Sequence, residues 1–242
     1  EDDGRGDPAA RISFEQVTFS YLGKKPNLED ITLSVPKGGT LGIIGATGSG
    51  KSTFVKLLLR FYDADSGTIR IDGRKISSYT QKELTAMFGV ALQNDFLYAD
   101  TIEENIRFGR DISDEQIRRA AKIAQAHDFI SAMPDGYGHM ISSKGTNLSG
   151  GQRQRILIAR AIAADPGILI LDDSSSALDY KTDASLRQAL KESMSDSTVI
   201  TVAQRVSSVK NCDLIIVLDE GRIIGRGTHE ELMENCAEYR QI

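Results

Sequence analysis

Gly45-Ala46-Thr47-Gly48-Ser49-Gly50-Lys51-Ser52-Thr53 is the stretch whose reading decides the fold. It fits G-x-x-x-x-G-K-[ST], a loop whose glycines let backbone amides point inward at phosphate oxygens. The motif has meaning only between a strand and a helix. Thr40-Leu-Gly-Ile-Ile44 is a short apolar run ahead of it, and Ser52 to Phe61 has the pattern of a helix behind it. That helix adds the positive end of its dipole. In this setting Lys51 is expected on the β- and γ-phosphates and the Ser52 hydroxyl on Mg²⁺. A glycine-rich turn with an ordinary surface lysine would have no need of this context.

A second glycine motif follows, Leu148-Ser149-Gly150-Gly151-Gln152. Ser149 is placed to cap a long helix from about Gly150 to Ala164, which Asp165-Pro166 ends. A serine and glycine amides at a helix start form a second anion site. The bland alternative is a glycine-rich cap.

Around these motifs the apolar pattern predicts an α/β fold. Ile12–Tyr21 and Leu28–Val35 alternate as half-buried strands, and Ile69–Gly73 reads as a further strand and turn. Ile168-Leu-Ile-Leu171, Thr198–Val202 and Leu214–Leu218 are continuous apolar runs, typical of parallel strands covered on both faces. Asp219-Glu-Gly221 reads as a turn. The middle is mostly helical by pattern, with Ser113 and Gln116 forming a capping box. The expected organisation is a linker over 1–10, a parallel core with an antiparallel β lobe over about 11–93 and 165–242, and a helical lobe inserted over about 94–164.

Bulk properties narrow the function. A net charge of −5 gives no reason to expect nucleic acid as a partner. Two cysteines, Cys212 and Cys236, are too few for a disulfide framework and suit a reducing compartment. No apolar stretch approaches the roughly 18 residues of a membrane span, and no signal peptide is evident. The chain starts at Glu1 rather than Met, so it is expected to be a piece of something longer.

The two glycine motifs, in this order and spacing, resemble the ATP-binding-cassette (ABC) ATPases over about residues 12–240. The resemblance implies a P-loop NTPase (RecA-like) core that binds ATP with Mg²⁺. It implies ATP contacts from Gly45, Thr47, Gly48, Ser49, Gly50, Lys51, Ser52 and Thr53. Tyr21 would stack on adenine. Asp172, at the tip of Ile168-Leu-Ile-Leu-Asp172-Asp173, would hold Mg²⁺ together with Ser52 and Gln93, and Gln93 would also touch the attacking water. Ser149, Gly150, Gly151 and Gln152 would act in trans, closing over a nucleotide bound to a second such domain. Ser176 and Asp179, in Ser176-Ala-Leu-Asp179, would belong to the loop that couples the two sites.

Two positions depart from the family pattern, and both concern one chemical step. Asp173 stands where the family has a glutamate, the base or water-orienting group. Aspartate is shorter by one methylene, which withdraws the carboxylate by roughly an ångström, and such a misplacement costs on the order of 10²-fold in rate. Gln204, in Thr201-Val-Ala-Gln204-Arg205, stands where the family has histidine. Its amide can donate to phosphate but carries neither proton nor charge. The usual glutamate before the second motif is replaced by Ser143. The combination is similar to the degenerate-site half of a heterodimeric exporter, working at the cytoplasmic face of a membrane beside a transmembrane domain on the same full-length chain. His127, His139 and His229 lie outside the motifs and read as structural or surface residues.

Three alternatives remain. An importer's separate ATPase subunit is expected to start at Met and often to carry an extra C-terminal domain. A DNA-repair or chromosome ATPase would insert coiled coils between the motifs, where this chain has a short segment. A non-hydrolysing, ATP-clamped dimerisation module is the non-enzymatic competitor, favoured by Asp173 and Gln204.

Overall fold

A computed structural model describes residues 6–7, 9–173 and 176–242. In chain order its elements are β1 (Ala10–Phe19), β2 (Leu28–Pro36), β3 (Thr40–Ile44), α1 (Lys51–Leu58), β4 (Ser66–Ile71), β5 (Arg74–Lys75), α2 (Gln81–Met87), β6 (Phe88–Ala91), α3 (Ile102–Arg107), α4 (Asp114–Ile123) and α5 (His127–Ser131). There follow α6 (Gly150–Ala163), β7 (Ile168–Asp172), α7 (Tyr180–Ser193), β8 (Thr198–Ala203), α8 (Val206–Val209), β9 (Leu214–Asp219), β10 (Arg222–Gly227), α9 (His229–Asn235) and α10 (Ala237–Gln241). The residues form two compact units, one from the chain up to Thr85 together with Thr198–Ile242, the other from Ala86–Ser197. Most of the expected linker lies outside the described residues, and its last residue, Ala10, already belongs to β1.

The first unit contains an antiparallel sheet in the order β2-β1-β4-β5 and a second set of strands in the order β10-β9-β3-β8. β3 runs parallel to β8 and to β9, and β10 folds back antiparallel on β9. All five residues of β3 except Thr40 are buried, as a strand covered on both faces requires. Phe14 of β1 stacks on Phe54 of α1 with centroids 4.3 Å apart and planes 13° from parallel. Ile44, Ala203, Val209, Val217, Leu232 and Tyr239 share one buried cluster that anchors the C-terminal helices.

Two boundaries differ from the sequence reading. β1 stops at Phe19 instead of Tyr21, because side chains take the next amides out of the ladder: Ser20 N donates to Asp65 Oδ2 (2.8 Å) and Tyr21 N to Asn27 Oδ1 (3.0 Å). α1 ends at Leu58, short of the expected Phe61. Arg60 adopts a left-handed φ of 53°, Phe61 N bonds to Lys56 O (2.8 Å) and Arg60 N to Leu57 O (3.0 Å). This is a Schellman stop made without the usual glycine. β10 had no clear signal, since Arg222-Ile-Ile-Gly-Arg-Gly227 is interrupted by glycine and nowhere buried.

The second unit joins the parallel pair β6–β7 to a helical layer in which α6 packs against α3, α4 and β6. The helical segment 94–164 lies within it, together with β6, β7 and α7. Arg160 of α6 is 8% exposed. Its guanidinium donates to Asn105 O (2.8 Å), Asn105 Oδ1 (2.9 Å) and Phe96 O (3.0 Å), and it lies 4.4 Å from the Phe108 ring centroid. Burial pushes its pKa below the ordinary guanidinium value. Asn105, 1% exposed, completes the network by donating to Tyr98 O and Thr101 O (3.0 Å each). Removing one member leaves buried partners unsatisfied, and hydrogen bonds to a charged group contribute about 1.5–3 kcal/mol each. Arg160→Met is therefore expected to destabilise the chain by roughly 2–4 kcal/mol. Urea denaturation checks this, and a midpoint unchanged from wild type would show that the network is dispensable.

Candidate functional site

The first unit carries a cleft of about 560 Å³ lined by residues 46–53, by Lys25, Pro26 and Asn27, and by Asp219, Glu220 and Gly221. Sequence brings the glycine loop here directly, since β3 feeds it and α1 leaves it. Gly50 occupies the N-cap of α1 at φ 112°, a conformation that a side chain would strain. No side chain caps this helix and its first turn holds no acidic residue, so its leading amides remain suited to an anion. Lys51 Nζ folds onto the loop's own carbonyls, Gly45 O at 2.6 Å and Ala46 O at 2.8 Å. The Ser49 hydroxyl is buried and has no hydrogen-bond partner among the described residues.

The turn after β9 was legible only as a turn, yet it buttresses this loop. Gly221 N donates to Ser49 O (3.0 Å), and Gly221 O accepts from Glu29 N (2.8 Å). Only the pairing of Ile44 with Val217 could have signalled it, because strand register is not written locally. The same register places Gln204. Ile44 pairs with Ala203, so Gln204 follows β8 at the level where Gly45 follows β3.

Tyr21 sits in the bend after β1, 39% exposed, and is not among the residues lining the cleft. Its hydroxyl donates to Thr53 Oγ1 at 3.3 Å. Its ring meets Phe19 and Tyr62 edge to face, and Lys56 Nζ lies 5.6 Å from its centroid.

The second unit brings Gln93 and Asp173 together. β6 and β7 pair in parallel up to Ala91 and Leu171. Two residues beyond, Gln93 Nε2 donates to Asp173 Oδ2 at 3.2 Å. Asp172, 8% exposed, closes β7. Asp173 takes φ 49°, a left-handed backbone that aspartate tolerates better than most residues.

Ser149 and Gln152 form a reciprocal capping box at the start of α6: Ser149 Oγ accepts from Gln152 N (3.1 Å) and Gln152 Oε1 from Ser149 N (3.0 Å). The amides of Gly150 and Gly151 lie outside that exchange. A Cβ at Gly151 would sit 3.2 Å from Ala177 O, closer than ordinary van der Waals contact. The second glycine motif thus packs against the segment 176–179. Asp179 caps α7, accepting from Thr182 N (2.9 Å) and Thr182 Oγ1 (2.7 Å), and these bonds hold its carboxyl below the usual carboxylate range. Ser174 and Ser175, between Asp173 and this segment, lie outside the described residues.

The donors suit the expected groups. The oxygens of Ser52, Gln93 and Asp172 are hard ligands, and Mg²⁺ is held by few protein groups, with phosphate and water supplying the rest. Among the described residues no cluster of three or more His, Cys, Asp or Glu side chains forms an all-protein metal cage. Two histidines pair with tyrosines, His127 Nδ1 with Tyr137 OH (2.8 Å) and His229 Nδ1 with Tyr239 OH (2.9 Å), in keeping with a structural role.

Comparison with known proteins adds independent findings. The chain is 47% identical over 233 residues to the uncharacterized ABC transporter ATP-binding protein YknU of Bacillus subtilis, a match covering 96% of this chain and 40% of YknU. It is 43% identical over 234 residues to the ATP-dependent lipid A-core flippase of Vibrio parahaemolyticus, covering 96% of this chain and 40% of the flippase. A solved bacterial Atm1-family ABC exporter with ATP bound superposes with a TM-score of 0.91 at 37% identity, over 96% of this chain and 41% of that one. The chain therefore spans about two-fifths of the length of these relatives. The mixed α/β architecture is that of a P-loop NTPase. Residues 28–176 match the ABC transporter family itself, and the chain belongs to that family.

Proposed function

We propose that this chain is the nucleotide-binding domain of an ABC exporter with a weakened hydrolytic site of its own. It binds ATP with Mg²⁺ and pairs with a second, consensus-site domain. A transmembrane domain on the same polypeptide completes the transporter at the cytoplasmic face of a membrane. The greater length of the relatives supports the last point.

In this reading Lys51 leaves the loop carbonyls for the β- and γ-phosphates, the α1 amides and the Ser49 hydroxyl hold phosphate oxygens, and Tyr21 stacks on the base. Ser52, Gln93 and Asp172 hold Mg²⁺, which screens the phosphate charge. Ser149 and the amides of Gly150 and Gly151 meet the partner's nucleotide, and Ser176 and Asp179 lie in the loop between the sites.

One observation carries the claim of weak hydrolysis. At the end of β7 the shorter Asp173, in place of glutamate, is already hydrogen-bonded to Gln93. A carboxylate drawn toward a neighbouring amide orients water poorly, and Gln204 supplies no imidazole. The same observation favours the non-hydrolysing clamp as the second reading.

Two experiments test this. Lys51→Ala is expected to abolish the rise in melting temperature that ATP–Mg²⁺ gives the wild type, since only a ligand that binds the native state stabilises it. A shift of wild-type size would remove Lys51 from the site. Steady-state turnover of the chain alone is expected to be slow. Asp173→Glu with Gln204→His together should raise it by at least about tenfold, more than either change alone, because both act on one water and one phosphate. Consensus-like rates in the wild type, or no gain on double reversion, would overturn the degenerate-site reading. Gain without any wild-type turnover would favour the clamp.

A further inference from the structure

Tyr62 has no role in the reading above, yet its placement is over-determined. The Schellman stop after α1 reverses the chain. Arg60 then fixes the segment by pairing with Asp63 (3.0 Å) and donating to Tyr79 O (3.1 Å). Asp65 ties it to the end of β1, donating to Thr18 O (2.9 Å) and accepting from Ser20 N (2.8 Å). These bonds deliver the Tyr62 ring to Tyr21 at 5.1 Å and 84°, and to Phe19 at 5.5 Å and 45°. The residue is 45% exposed and makes no hydrogen bond among the described residues. Both of its ring contacts are with residues at or just past the end of β1, one of them Tyr21.

We propose that Tyr62 is a positioning residue for base recognition, holding the Tyr21 ring in the orientation that meets a purine. The inference rests on the stacking role given to Tyr21. α1 then serves both ends of the nucleotide. Its first turn carries the phosphate loop and Thr53, which accepts the Tyr21 hydroxyl; its last turn and stop carry Lys56 and Tyr62. Tyr21 is held by a hydrogen bond to Thr53 and the Lys56 cation, both on α1, by the Tyr62 ring just beyond the helix stop, and by Phe19 of β1. Without Tyr62 its ring keeps the Thr53 bond and the Phe19 contact but loses one of its two flanking rings, and the torsional freedom so regained must be lost again when a base stacks.

The test compares Mg-ATP with inorganic tripolyphosphate, which offers the phosphates without the base, by calorimetry on the 242-residue chain. Tyr62→Leu is expected to weaken ATP about three- to tenfold, the worth of one aromatic pair, and to leave tripolyphosphate affinity unchanged. Tyr62→Phe should retain wild-type ATP affinity, because the ring and not the hydroxyl does the positioning. Unchanged ATP affinity in Tyr62→Leu, equal loss for both ligands, or failure of Tyr62→Phe to rescue would each overturn the proposal. Tyr21→Ala is measured in parallel. If it weakens ATP while Tyr62→Leu does not, stacking stands and the positioning role falls; if Tyr21→Ala binds ATP normally, both fall. The chain contains no tryptophan, so Tyr21→Trp gives a single-site reporter whose anisotropy should drop when Tyr62→Leu is added. Should Tyr62→Leu not fold, Tyr62→Ile takes its place, and failure of both to fold would mark Tyr62 as structural and end the proposal.

Discussion

Parallel strands end together, and that constraint governs where chemistry can collect in this chain. In the first unit, β3, β8 and β9 run the same way, and their carboxyl ends release the glycine loop, Gln204 and the turn at Asp219. In the second, β6 and β7 do the same for Gln93 and Asp173, residues 80 apart in sequence that meet because the pairing is in step. A slip of one residue in either pair would point every following side chain to the opposite face. Because these strands are buried along nearly their whole length, no alternation of polar and apolar faces marks their register, which is carried by the ladder pairings themselves.

The helical part of the second unit solves a different problem. It needs a charged residue in a dry interior, and it satisfies Arg160 almost wholly with carbonyls and an amide oxygen instead of a carboxylate partner. Such a network is demanding, because every acceptor must be in place for the cation to be tolerated. It fixes α3 against α6, and α6 is the helix whose first turn carries the second glycine motif. Arg160 lies about two to three turns along α6 from that motif.

What could be read from sequence was what is encoded locally. The phosphate loop, its flanking strand and helix, the caps at Ser113 and Ser149, and the apolar strands all depend on neighbours within a few residues. The contacts that finish the candidate site do not. Gly221 supporting Ser49, Gln93 meeting Asp173, and Tyr62 reaching Tyr21 arise from register or from turns whose geometry a side-chain pattern does not show. Arg60 makes the point sharply: a left-handed residue that is not glycine hid the end of α1, and with it the path that brings Tyr62 back. β10 stayed hidden because glycines and partial exposure erase the alternation that marks a strand.

The capping box at Ser149 and Gln152 has a thermodynamic consequence for any association through that surface. The motif's two polar side chains already hold each other and the helix end, so the turn is ordered within a single chain. Its conformational entropy is lost during folding and need not be lost again when a partner arrives. The two glycine amides left over are presented as a preformed pair of donors on a rigid helix. An anion meeting that turn would find its donors already in place, with no further ordering of the backbone to oppose binding.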